Sequence, residues 1–93
     1  MKNININKIR KKLDKVDNRL LKVIKQRSLI VDRILKLKKN KNEVIDRKRI
    51  IFILKRIKRQ SIKANIDPKI TTNIWKAMIK SFIDYEFRKF KKK

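Results

Sequence analysis

The chain has no glycine, no cysteine and no histidine, and a single proline. Without cysteine there is no disulfide and no thiolate metal site. Without histidine the commonest general base and the commonest transition-metal ligand are both missing. Long apolar runs are also missing: none approaches the roughly 18 residues that a membrane span needs. The amino-terminal MKNININKIRKK carries no apolar stretch, so no signal peptide and no membrane are expected, and a cytoplasmic location is. Acidic residues are scarce, 8 against 31 Lys and Arg, which leaves a net charge of +23. Such an excess invites nucleic acid or an anionic surface as partner. It also fits the codon bias of an A- and T-rich genome, in which lysine, isoleucine and asparagine accumulate at surface positions without any partner.

At 93 residues the chain is read as one domain, 1–93, near the lower limit for a core that folds alone. Oligomerisation would supply the missing burial. With no glycine to punctuate the chain, the breaks fall at the polar clusters KKNKNE (38–43) and KANIDP (63–68), and divide it into three helical segments. The expected fold class is all-α: one long helix, one short and one medium.

The first segment spans about Asn5 to Lys39. Ile6, Ile9, Leu13, Val16, Leu20, Val23, Ile30, Ile34 and Leu37 recur at alternating spacings of 3 and 4, with Arg27 in the one remaining seam position. At ~1.5 Å per residue this helix is about 50 Å long, too long for a compact monomer of this size, so it is expected to pair with a second copy. The second segment runs from near Val44 to about Ala64. Its stripe is Ile50, Ile53, Leu54 and Ile57, widened by Ile51 and Phe52. The third opens at Asp67-Pro68, an N-cap followed by proline at the first helical position. It carries two adjacent stripes: Ile70, Ile74, Ala77, Met78, Ser81 and Tyr85, and Trp75, Ile79, Phe82, Ile83, Glu86 and Phe90. The closing KFKKK is expected to fray.

Polar residues inside apolar stripes carry the functional reading. A guanidinium in a seam must be paired, hydrated or given an anion. Arg27 could simply set the register of a coiled coil. Arg10 and Lys38 lie close to the same face, however, 17 residues before and 11 after it. Within one chain those two are about 42 Å apart and cannot share a small ligand. If two first helices pair antiparallel, crossing near Leu20 and Leu21, Arg10 of one falls between Arg27 and Lys38 of the other. Three cations then converge on a pocket, twice per dimer, and a small di-acid is a natural guest. Glu86, on an aromatic stripe, is either a helix-edge residue with its head in water or a hydrogen-bond partner for that guest. Asp46 and Arg49 open the second helix, where an acidic first turn complements the helix dipole.

Taken in order, Arg10, LDKVDNRLL, Arg27, Lys38, the D-x-x-R of Asp46 and Arg49, and IWKAMIKSFIDYE resemble the all-helical class of chorismate mutase, over about Ile6 to Phe90. The resemblance implies an intertwined homodimer of three-helix protomers with two active sites and no cofactor or metal. It implies that Arg10 of the partner protomer and Arg27 clamp the carboxylates of chorismate. Lys38 would donate to the ether oxygen of the breaking bond, and Arg49 would bind near the enolpyruvyl carboxylate. Arg47 competes with Arg49 for that role, and the spacing from Asp46 favours Arg49. Glu86 stands at the position of the second ether-oxygen donor.

The implied reaction is a pericyclic rearrangement of chorismate to prephenate, a step toward phenylalanine and tyrosine. It needs no nucleophile and no general base, so the missing histidine and cysteine are no obstacle. It needs a flexible dianion held in a chair-like conformer and charge stabilised on the ether oxygen. Glu86 can donate there only when protonated, so activity should fall with rising pH. Two positions depart from the family pattern. Ile50 stands where a glutamate holds the ring hydroxyl, and Phe82 where a serine lies near a carboxylate. Both changes resemble the isochorismate-pyruvate lyase branch, which makes the lyase the alternative. A basic helical dimer binding nucleic acid is more remote, because the aromatics lie on apolar stripes rather than interleaved for base stacking.

Overall fold

A computed structural model describes residues 2–90, with side chains from residue 5 onward. Its elements are α1 (Lys2–Leu37), a 3₁₀ turn (Lys41–Glu43), α2 (Arg47–Lys63) and α3 (Pro68–Phe90), so the fold is all-α. Among the described residues no helix is long and apolar enough to cross a membrane. Of the basic carboxy-terminal run, Lys89 and Phe90 continue α3, and 91–93 lie outside the described residues.

The chain divides into two units at Val31 and Asp32, within α1. The first unit is helix alone. Its seam residues Ile6, Ile9, Leu13, Val16, Leu20, Val23 and Ile30 are between 43% and 65% exposed, so the sustained heptad is an uncovered apolar stripe. Leaving so much aliphatic surface in water forgoes roughly 1.5–3 kcal/mol for each side chain that could be buried.

The second unit holds the core. Leu35 from the end of α1, Val44 from the connection, and Ile53 and Ile57 from α2 are its buried hydrophobics. Helices α2 and α3 pack on each other. Of the two stripes of α3, the one bearing Trp75, Ile79, Phe82, Ile83, Glu86 and Phe90 is buried or half-buried along its whole length. Ile70 and Ile74 of the other stripe are more than half exposed. On α2, Ile50 and Leu54 flank the core, whereas Ile51 and Phe52, expected to widen the stripe, face outward. Phe52 is accommodated there by the guanidinium groups of Arg49 and Arg56, 5.2 and 5.8 Å from its ring centroid.

The connections are built from side-chain caps, since no glycine is present. Asn40 caps the 3₁₀ turn by accepting from the Asn42 N–H. Glu43 accepts from the Lys39 N–H at 2.7 Å. Val44, expected inside the second helix, is buried in the connection instead. The helix begins three residues later, because Asp46 takes the N-cap position and accepts from the Arg49 N–H at 3.0 Å. At the start of α3, Asp67 accepts from the Lys69 N–H at 2.9 Å and Pro68 is the first helical residue. Between α2 and α3, the buried Ser61 hydroxyl donates to the Ile57 carbonyl and pairs with the Thr71 hydroxyl.

Helix α2 ends in a Schellman arrangement: the Ile66 N–H donates to the Ser61 carbonyl and the Asn65 N–H to the Ile62 carbonyl. This requires the left-handed conformation at Asn65, φ 58°, where asparagine is the best tolerated residue after glycine. Asn65→Ile is expected to cost about 1–2 kcal/mol, lowering Tm by ~4–8 °C per kcal/mol, while Asn65→Gly leaves Tm unchanged or slightly raised. Thermal melts of the two variants check this.

Candidate active site

Glu86 rides the inward stripe of α3, four residues after Phe82 and four before Phe90, and is carried into the second unit by the same periodicity that buries those rings. The residue is 7% exposed. A carboxylate taken out of water needs a compensating partner, and Lys38 supplies it: Lys38 Nζ donates to Glu86 Oε1 at 2.9 Å. Lys38 is the first residue beyond α1, its N–H still bonded back to the Leu35 carbonyl. Leu35 is anchored in the core, so the ammonium is held from a fixed backbone.

The two residues expected to face the ether oxygen are therefore in contact, 48 positions apart in sequence. Phe82, one turn before Glu86, is half-buried and meets the Tyr85 ring edge-on, centroids 6.4 Å apart at 83°. Ile50 is half-buried on the first turn of α2. Asp46 spends one carboxylate oxygen on the helix cap, the role that an acidic residue at a helix start predicts. Arg47 and Arg49 are both exposed. The Arg49 guanidinium lies over Phe52, and among the described residues no ion pair joins it to Glu86. Arg10 is exposed and Arg27 half-buried, both on the helix of the first unit.

One contact went unanticipated: the Tyr85 hydroxyl donates to Asp32 Oδ1 at 2.6 Å. Tyr85 reads from the sequence as a member of an apolar stripe, and nothing in the local pattern singles out Asp32. The only local signal is a phenol placed directly beside the anomalous glutamate. Hydrogen bonding to Asp32 is the largest influence holding the Tyr85 phenol above its ordinary pKa. Partial burial and the charge of Asp32 act in the same direction, and Arg88 acts against them.

Among the described residues no group of three or more His, Cys, Asp or Glu side chains could hold a metal ion. The arrangement is thus a lysine and a carboxylate, largely withdrawn from water and in contact, with an aromatic ring one turn away, in a strongly cationic chain. Its ammonium can donate hydrogen bonds to an oxygen of an anionic guest. No curated protein and no solved structure matches the chain significantly. The family model described as chorismate mutase type II matches residues 9–87, a span that takes in Arg10, Arg27, Lys38, Arg49, Phe82 and Glu86. The chain belongs to the type II chorismate mutase family.

Proposed function

We propose that the protein is a chorismate mutase that converts chorismate to prephenate, a cytoplasmic enzyme of phenylalanine and tyrosine biosynthesis that works as a homodimer. The observation that carries this reading is the 2.9 Å contact between Lys38 and Glu86, two groups able to meet the ether oxygen of the substrate, in a chain of this family. In the working dimer, α1 pairs antiparallel with its copy and covers the exposed seam. Arg10 of the partner protomer and Arg27 clamp the carboxylates, and Arg49 swings from Phe52 to the enolpyruvyl carboxylate. Ile50 and Phe82 line the pocket and Asp46 holds the start of α2.

Binding the dianion in a chair-like conformer removes the rotational freedom that slows the reaction in water. As the C–O bond opens, negative charge grows on the ether oxygen and the Lys38 ammonium stabilises it. The chain's large positive charge also draws the dianion in and speeds encounter.

The lyase reading is favoured by one specific feature, apolar residues at both Ile50 and Phe82. Isochorismate carries its hydroxyl elsewhere on the ring, so the missing glutamate costs it less. The deciding assay follows loss of chorismate absorbance and formation of prephenate, with isochorismate run alongside and pyruvate measured. Prephenate without pyruvate is the expected result. Faster pyruvate release from isochorismate would make the enzyme a lyase, and no turnover of either substrate would overturn both readings. Glu86→Gln, whose amide is a permanent donor, is expected to keep or raise kcat. A loss of about tenfold or more would remove Glu86 as a donor.

A further inference from the structure

The segment that ends α1 meets α3 through two side-chain bridges within the second unit. One is Lys38–Glu86. The other is Asp32–Tyr85, 2.6 Å between hydroxyl and carboxylate oxygen. They run in parallel: Asp32 lies six residues before Lys38, and Tyr85 immediately precedes Glu86. Tyr85 is also the edge-on neighbour of Phe82, and Lys89 Nζ sits 5.7 Å from the centre of its ring. A single side chain thus touches α1, the candidate pocket wall and the helix that carries Glu86.

At 2.9 Å, Lys38 and Glu86 are in direct contact. An ether oxygen that accepts from both must lie ~2.7–3.0 Å from each donor. An oxygen can sit at that distance from both without their parting. Glu86, now the acceptor from Lys38, must however turn donor to reach it, which gives up the charge-assisted bond that ties the end of α1 to α3 at the moment when their placement matters. The Asp32–Tyr85 bond involves neither group and need not break.

We propose that the Asp32–Tyr85 hydrogen bond is a positioning device for the reaction, holding the end of α1 against α3 and the Phe82 ring in place while the Lys38–Glu86 bond is given up to the substrate. This rests on the reading of Lys38 and Glu86 as the groups that meet the ether oxygen. Neither Asp32 nor Tyr85 touches substrate. Their effect falls on the transition state, through the placement of Lys38 and Glu86, and not on the arginines that capture the carboxylates.

The test is steady-state kinetics of the full chain on whichever of chorismate and isochorismate the wild type turns over. Tyr85→Phe is expected to lower kcat about tenfold with KM changed less than about twofold. Asp32→Ala should do the same. The double variant should be no worse than either single, since both remove one bond. Asp32→Asn, whose amide oxygen still accepts, should recover most of the loss. Hydrogen bonding raises the phenol's pKa, so the bond's contribution to stability is complete below about pH 10, the ordinary tyrosine value. It is lost as pH rises through the higher folded value. Asp32 from α1, and Arg88 and Lys89 from α3, are the charged groups facing it. The wild type should therefore lose an increment of Tm above pH 10 that Tyr85→Phe does not lose. A lowered Tm with wild-type kcat, or additive losses in the double variant, would overturn the proposal and leave the mutase reading standing. A wild type inactive on both substrates would overturn both.

Discussion

Replacing Lys38 by methionine is expected to lower kcat on chorismate by about 10²–10³-fold, the usual cost of removing one preorganised donor to a developing oxyanion. Methionine keeps the apolar stem and its packing and removes only the ammonium. The same substitution strips Glu86, 7% exposed, of its partner. A buried charge left alone costs about 3–5 kcal/mol, so a lower Tm is expected as well. Lost activity could then reflect lost fold. The double variant Lys38→Met with Glu86→Gln separates the two, because neutral side chains in place of a buried ion pair are often tolerated without loss of stability. It should recover most of the Tm and none of the turnover. Turnover that returns along with Tm would mean that Lys38 serves the fold, and the ether-oxygen donor would have to be sought elsewhere.

What could be read from the chain alone follows the reach of each physical signal. Apolar periodicity is local, and it marks three helices and two adjacent stripes on the third. Two adjacent apolar stripes on α3 left open which one packs; the stripe with the larger rings turned inward, where it fills more volume against α2. Charge next to an apolar residue misled at Phe52. Flanking arginines can satisfy an exposed ring, so its apolarity did not mean burial. Helix α2 starts after Asp46 and not near Val44, because the Asp46 carboxylate caps the Arg49 N–H, and an aspartate so placed is itself a start signal.

Glu86 stands out because a carboxylate breaks its stripe; periodicity does not pair it with Lys38, 48 residues away, and only the family resemblance sets both at one oxygen. Asp32 and Tyr85, 53 apart, gave still less: each fits its local pattern, and only the packing of α1's end on α3 pairs them. The exposed seam of α1 is the reverse case. There the pattern points beyond the single protomer: the seam residues from Ile6 to Ile30 are exposed, and the proposed dimer is what would cover them.

Arg27→Leu carries the second large effect, because it separates what the seam needs for association from what the substrate needs. Leucine would complete the 3-4 repeat from Leu20 through Val23 to Ile30 and Ile34, with nothing polar left in the seam that the proposed dimer would bury. Burying it adds roughly 1.5–3 kcal/mol for each protomer, and the cost of desolvating a guanidinium disappears. The dimer is expected to be at least as stable, by thermal melts and sedimentation. Activity should move the other way. A guanidinium that grips a carboxylate through two charge-assisted hydrogen bonds has no substitute in leucine. The fall in kcat/KM should reach about 10³-fold, near 4 kcal/mol. Such opposed movements are the mark of a residue kept for its guest at the expense of the fold. A variant that is less stable yet turns over normally would make Arg27 a register-setting residue and leave the substrate carboxylates to other cations.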